Sequence, residues 1–119
     1  MYEWPTTEPV FVLPLEGNPI VVYGESLTAV KFWRRPTGRD MIALSRAGLK
    51  GFEGTSFMAT RLTLIPAESL GDMDAYDFDR MDDVLQAFLA HGPKAKISIS
   101  PAGLLLVNSP GSETQRSSS

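Results

Sequence analysis

Residues 20–47 read IVVYGESLTAVKFWRRPTGRDMIALSRA. The β-branched and aromatic residues at 20–23 and 27–33 favour strands. Gly24-Glu25 between them predicts a two-residue type II′ turn, with Gly24 at the position that needs a positive φ. Such a turn sets Val22 opposite Leu27, Ile20 opposite Ala29, and Val21 facing Thr28. Along the longer strand, Val30 and Phe32 share one side, and Lys31 and Trp33 share the other. Both sides carry apolar groups, so burial on two faces or contact with a partner is expected. Arg34-Arg35 ends the strand, and Pro36 stops pairing because it has no N–H to donate. Thr37 stands three residues before Asp40, a T-x-x-D capping pattern in which each residue can answer an N–H of the first turn. Asp40 also sits at the positive end of the helix. Met41, Leu44 and Ala47, widened by Ile42, form the apolar stripe, and Gly48 is a natural left-handed terminator. A hairpin that runs through a proline stop into a capped helix predicts an α+β fold.

On the N-terminal side, residues 1–8 read as a flexible arm in which Pro5 removes a donor. Tyr2 and Trp4 in this arm are expected to fold back on the core or to reach a partner. Residues 10–13 form a candidate strand that Pro14 confines to an edge or ends. Residues 16–19, EGNP, have turn composition.

On the C-terminal side, residues 50–54 read as a flexible joint with two glycines. A second helix is expected over 55–65, with Phe57, Met58, Leu62 and Ile65 roughly on one side. Pro66 breaks it, and 67–70 make a short turn closed by Gly71. The longest helix is expected over 74–91. Asp74 caps it, Asp77 stands at the third position, and Met81, Val84, Leu85, Phe88 and Leu89 supply the inward face. Gly92-Pro93 closes it. Residues 94–100 alternate Ala95, Ile97 and Ile99 with Lys96, Ser98 and Ser100, the signature of a half-buried strand. A turn at 101–103 and a second short strand over 104–107 follow. Residues 108–119 are polar and Ser-rich, which predicts a disordered tail. The expected organisation is therefore an arm over 1–8, one α+β domain over 9–107 and a tail over 108–119. Within the domain, a small N-terminal β-hairpin or three-stranded antiparallel sheet precedes three helices and a short C-terminal β segment.

A chain of 119 residues with 43% hydrophobic residues has room for one modest core. It has no cysteine and a single histidine, His91. Disulfides and thiolate metal sites are therefore excluded, and a zinc centre would have to rely on carboxylates. The net charge of −3 argues against a nonspecific nucleic-acid binder, which needs a basic surface. No apolar run is long enough to cross a bilayer. The opening MYEWPTTEP is acidic and lacks the basic-then-apolar pattern of a signal peptide, so a cytosolic protein is expected.

Little in the chain suggests catalysis. His91 lies at a helix end beside a Gly-Pro break, where a capping or solvent-facing role outweighs that of a base. No G-x-S-x-G elbow, G-x-G-x-x-G loop or G-K-[ST] loop occurs. Asp72, Asp74, Asp77, Asp79, Asp82 and Asp83 form the one metal candidate. Tyr76 interrupts their alternation and no glutamate closes a calcium loop, so their spacing fits a helix cap and its first turns. Neither a cofactor nor a metal is expected. Arg34, Arg35 and Arg39 could hold an anion beside Phe32 and Trp33, but Asp40 is near enough to pair with one of them. Attention therefore moves to surfaces. Candidates for contact with a client or a second copy are Phe32, Trp33, Phe52, Phe57 and Met58, each equally compatible with core packing. The fold junction and helix cap comprise Arg35, Pro36, Thr37, Gly38 and Asp40; a second helix cap comprises Asp74 and Asp77.

The hairpin, the run Arg34-Arg35-Pro36-Thr37-Gly38-Arg39-Asp40-Met41, the run Leu62-Thr63-Leu64-Ile65-Pro66-Ala67-Glu68, and Met73 and Asp77 leading to Val84 and Phe88 together resemble one family. These features are similar to those of the tail assembly chaperones of tailed bacteriophages, above all the E and Mu-type chaperones of contractile-tailed phages and prophages. The resemblance spans residues 19–89, and the 94–107 segment departs from the shorter members. It implies a non-enzymatic protein of the host bacterial cytoplasm. Such a protein binds the long helical tape measure protein before the tail tube polymerises, keeps it soluble, and is absent from the finished particle. It also implies partners in the form of a homo-oligomer or a longer frameshifted form of the same chain. Two other classes are compatible with the residues: a tail or baseplate adaptor retained in the particle, and a small regulator that binds nucleic acid through the arginines.

Overall fold

The computed structural model describes residues 3–100 and 105–108. Four short strands come first: β1 (Phe11–Pro14), β2 (Ile20–Val22), β3 (Glu25–Leu27) and β4 (Ala29–Phe32). Helices α1 (Gly38–Ala47), α2 (Gly51–Thr63), α3 (Ala67–Leu70) and α4 (Ala75–Ala90) follow. Strands β5 (Lys96–Ile99) and β6 (Leu105–Asn108) end the described chain. The fold is a mixed α+β domain with N-terminal strands, central helices and a C-terminal β segment. It has four helices rather than three, because the expected turn at 67–70 closes as the short helix α3.

The N-terminal strands form one nested hairpin. β2 pairs antiparallel with β3, Ile20 opposite Leu27 and Val22 opposite Glu25. β1 pairs antiparallel with β4, Phe11 opposite Phe32 and Pro14 opposite Ala29. This corrects the expected pairing by two residues. The turn is Tyr23-Gly24, not Gly24-Glu25, and both residues have positive φ, 53° and 80°. Two positive φ values define the type I′ geometry that matches strand twist, with glycine tolerating the second position at no steric cost. A slip of two preserves the faces, because side chains alternate with period two. Ile20 and Val22 are therefore both buried, with Val30 and Phe32 on the same interior side. The expected single strand over 27–33 is split at Thr28.

The two ladders do not continue in register. Residues 15–19 join β1 to β2, whereas Thr28 alone joins β3 to β4. The surplus forms a bulge, and the Leu15 N–H still reaches the Thr28 carbonyl at 2.9 Å. Its next two N–H groups, of Glu16 and Gly17, donate to the Asp77 carboxylate at 2.9 and 2.8 Å. Asp77 is 1% exposed. It is therefore a clamp between α4 and the bulge rather than a helix cap, which corrects its expected role. Gly17 is required at this contact, since a Cβ there would lie 2.6 Å from the Asp74 Cβ. Asp77→Ala leaves two N–H groups without their charged acceptor and is expected to lower stability by about 2 kcal/mol. Urea denaturation checks this, and an unchanged midpoint would show the clamp to be idle.

The helices follow their punctuation. α1 begins after Thr37 and ends at Gly48 in the left-handed region, as expected. α2 begins at Gly51, four residues before the expected start at 55. Gly54 is not part of a flexible joint: it is buried, and a Cβ there would meet the Leu49 carbonyl oxygen at 3.4 Å and Leu44 Cδ1 at 3.5 Å. These are ordinary van der Waals distances, so Gly54 packs against the end of α1 with room for a methyl group. α2 stops at Leu64, a non-glycine residue at φ 65°. Buried Thr63 supports this exit, donating its hydroxyl to the Ala59 carbonyl at 2.7 Å and accepting the Ile65 N–H at 3.2 Å. α4 starts at its expected cap, where Asp74 accepts the Tyr76 N–H at 2.9 Å.

The core lies between the nested hairpin and the layer α2–α4. Phe32, fully buried, is its centre, with the Phe11 ring at 6.2 Å and the Phe88 ring edge-on at 5.7 Å. Leu13, Leu62, Ile65, Leu70, Met81 and Val84 close around it. Half-buried Trp4 packs on this core from the arm, its ring 5.9 Å from that of Tyr23. β5 pairs antiparallel with β6, Lys96 opposite Asn108 and Ile99 opposite Leu105. Ile97, Ile99 and Leu105 lean on the core as the alternation requires. Asn108 belongs to β6 rather than to the tail. The expected features at Met1 and Tyr2, the turn at 101–103 and the tail over 109–119 lie outside the described residues. Among the described residues no helix is long and apolar enough to cross a membrane.

Candidate functional site

Asp40 is the hub of the junction between sheet and helices. It is 1% exposed and negatively charged, so burial alone would be costly. Four neighbouring groups compensate. Arg34 grips both carboxylate oxygens, at 2.6 and 2.9 Å. Arg61 of α2 donates Nε–H at 2.7 Å. The Thr37 backbone N–H donates at 2.7 Å and its hydroxyl at 3.1 Å. The Arg34 hydrogen bonds, followed by those of Arg61 and Thr37, hold the Asp40 carboxyl well below the usual carboxylate range, against the opposing effect of burial. Arg35 reaches across the fold to the carbonyls of Phe88 at 2.8 Å and His91 at 2.9 Å. There it supplies donors to the last carbonyls of α4 and stacks 5.3 Å over the Phe88 ring. The R-R-P-T-G-R-D run therefore ties β4, α1, α2 and the end of α4 together. Arg34 and Arg35 are both engaged inside the chain, and Arg39 alone of the three is without such a bond among the described residues.

The aspartates on α4 are similarly divided. Asp74 caps the helix, Asp77 clamps the bulge, and Asp82 accepts the Thr55 hydroxyl at 2.8 Å. Among the described residues no group of three His, Asp or Glu side chains could hold a metal ion.

The five expected contact residues fall in different places. Phe32 and Met58 are buried in the core and cannot present a surface, so both are corrected. Trp33 is half-buried, with the Lys31 ammonium 5.8 Å from its ring centre. Its indole N–H is buried without an acceptor. It lines a cleft with Trp4, Leu27, Ala29 and Ile65 beside the hairpin. Phe57 is half-buried beneath the Arg61 guanidinium at 5.8 Å. Phe52 is 67% exposed and meets Phe78 edge-to-face at 5.8 Å.

The structure also reveals an apolar groove whose outer surface the sequence reading missed. Met41 and Leu44 of α1 form one wall, Gly54 and Met58 of α2 the floor, and Leu85 and Leu89 of α4 the other wall. Its hollow is about 210 Å³. Met41 and Leu89 were expected on inward faces, yet both are exposed, as is Ile42 beside them. Nothing in the period of these residues distinguishes them from those that the fold buries. Phe52 and Phe78 continue the apolar surface around the start of α2 into a second hollow with Met73. Fold and surface together define a class, a small α+β domain with an open helical groove. No family model, no curated protein and no solved structure matches this chain.

Proposed function

We propose that this chain is a tail assembly chaperone of a tailed phage or prophage, a non-enzymatic protein that holds the tape measure protein before the tail tube polymerises. The observation that carries the reading is the groove between α1, α2 and α4. An amphipathic helix binds such a groove by laying its apolar stripe along the floor. Exposed Met41 on the wall supplies a flexible thioether, which adapts to varied side chains along a long helical client. The family resemblance at Arg34-Arg35-Pro36-Thr37-Gly38-Arg39-Asp40 adds to this, and in the fold that run holds the groove's α1 wall in place. With Arg34 and Arg35 engaged internally, a nucleic-acid role gains nothing from the geometry. In this reading the chain acts in the host cytoplasm and leaves before the particle is complete.

Co-expression with the tape measure protein tests the proposal. The chain is expected to keep that protein soluble and to co-purify with it. Met41→Asp and Leu89→Asp are expected to weaken capture by about 10-fold or more. Both sites are exposed, so the far-ultraviolet circular dichroism should be unchanged. Capture by both variants as strong as that by the wild-type chain, or no complex with the wild-type chain, would overturn the reading. Detection of the chain in purified mature particles would favour a retained adaptor instead.

A further inference from the structure

β4 has an open edge, since its strand neighbour is β1 on one side only. The Leu15 N–H bonds to the Thr28 carbonyl, and hydrogen-bonded pairs alternate along an antiparallel ladder. Val30 and Phe32 therefore turn their main-chain groups towards β1, whereas Ala29, Lys31 and Trp33 turn theirs away. The Trp33 N–H obeys this phase, donating to the Leu62 carbonyl at 2.9 Å on the far side. Before it in the chain, the N–H and C=O groups of Ala29 and Lys31 have no partner among the described residues. Donors and acceptors thus alternate there as on any unpaired strand.

The cleft beside the hairpin lies at this edge. Its lining combines Ala29, Lys31 and Trp33 with Trp4, Leu27 and Ile65. Its hollow is about 150 Å³, half of the roughly 300 Å³ at which small-molecule pockets begin, so it suits a side chain better than a whole small ligand. Lys31 is exposed, its ammonium 5.8 Å from the Trp33 ring centre, and it has no carboxylate partner among the described residues. A lysine on an edge strand discourages indiscriminate pairing. It also selects, because a carboxylate set opposite it is attracted and a basic side chain is repelled.

We propose that the β4 edge takes an extended peptide segment of another protein, apolar with an acidic residue, as an added strand. The segment's main chain pairs with Ala29 and Lys31, an apolar side chain enters the cleft against Trp33 and Trp4, and a carboxylate meets Lys31. Main-chain pairing supplies the affinity and the alternating side chains supply the specificity. A helix uses its own N–H and C=O groups internally and has none to offer this edge. The occupant therefore differs in conformation from the helical client of the α1–α2–α4 groove. The cleft shares no residue with that groove, and the proposal does not rest on the chaperone reading.

Selection of random linear peptides on the purified full chain, with the Ala29→Pro chain as counter-selection, tests the proposal. Proline at this position removes the free donor and leaves the ladder to β1 intact, since the Ala29 N–H takes no part in it. Peptides that alternate apolar residues and carry an acid are expected to emerge. On binding they should shift the amide resonances of Ala29 and Lys31 and the indole resonance of Trp33, and should bind the Ala29→Pro chain about 10-fold more weakly or worse. Lys31→Glu should reverse the charge preference: the selected peptides weaken, and versions with lysine in place of the acid bind instead. Misfolding cannot produce that gain. Absence of enrichment on the wild-type chain, equal binding to the Ala29→Pro chain, a charge preference that Lys31→Glu leaves unchanged, or resonance shifts confined to Met41 and Leu89 would each overturn the proposal. So would concentration-dependent protection of the Ala29 and Lys31 amides in the chain alone, which places a second copy on the edge. Failure to capture the tape measure protein leaves these readouts unchanged, so the two readings fail separately.

Discussion

Asp40→Asn is expected to cost about 3 kcal/mol of folding stability, roughly the lower end for breaking a buried pair, because Arg34 and Arg61 are themselves partly open to water. The amide keeps the shape but loses the charge that Arg34, Arg61 and Thr37 converge upon. It also places N–H groups where only acceptors fit. The pH dependence should identify the charge as the cause. The folded-state carboxyl lies well below its unfolded value of about 4, so its stabilisation is fully present above that pH. As pH falls below about 4 the unfolded chain takes up the proton first, and stability is lost progressively towards the depressed folded-state value. The gap between wild type and Asp40→Asn should therefore be full at neutral pH and narrow steadily in acid. Urea midpoints across that range measure it. A gap that is independent of pH would show that shape, not charge, matters at this position.

Phe32→Ala should be more damaging still, at about 4 kcal/mol, since the ring is fully buried between Phe11 and Phe88 and its removal leaves a cavity no neighbour can fill. Phe52→Ala removes a ring of the same size that is two-thirds exposed, and should shift stability by only about 0.5 kcal/mol. Thermal melts of the two variants test the separation between core and surface. If Phe32 were a contact residue, Phe32→Ala would melt like wild type and fail in client capture; the opposite outcome is expected. Phe52 beside Phe78 extends the apolar surface next to the groove, so its truncation is the informative one for binding.

The groove depends on the junction. Its α1 wall is held by the Asp40 hub on one side and by the contact at Gly54 on the other. Its α4 wall is anchored at the far end by Arg35, which bridges 53 residues of chain to the Phe88 carbonyl. Loss of either tie should therefore loosen the surface as well as the core. This is why stability and capture must be measured on the same variants.

Much of the fold was legible in residues close to one another along the chain. Pro36, Thr37 and Gly48 bound α1, and Asp74 with Gly92-Pro93 bounds α4, because caps and breakers act within a turn of the residues they punctuate. The alternation from Ala95 to Ile99 marks β5 for the same local reason. Tertiary structure alone decided the rest. The bulge between the hairpin's two ladders is held by Asp77, some sixty residues away. Phe32 and Trp33 are neighbours of similar composition, yet one is the core's centre and the other lines a cleft, because burial depends on which element arrives from elsewhere. Met41, Ile42 and Leu89 read as inward by period and emerged on the surface, because no described element packs over them. Local patterns reveal that a face is apolar; only packing against distant segments determines whether that face becomes core or remains open to a partner.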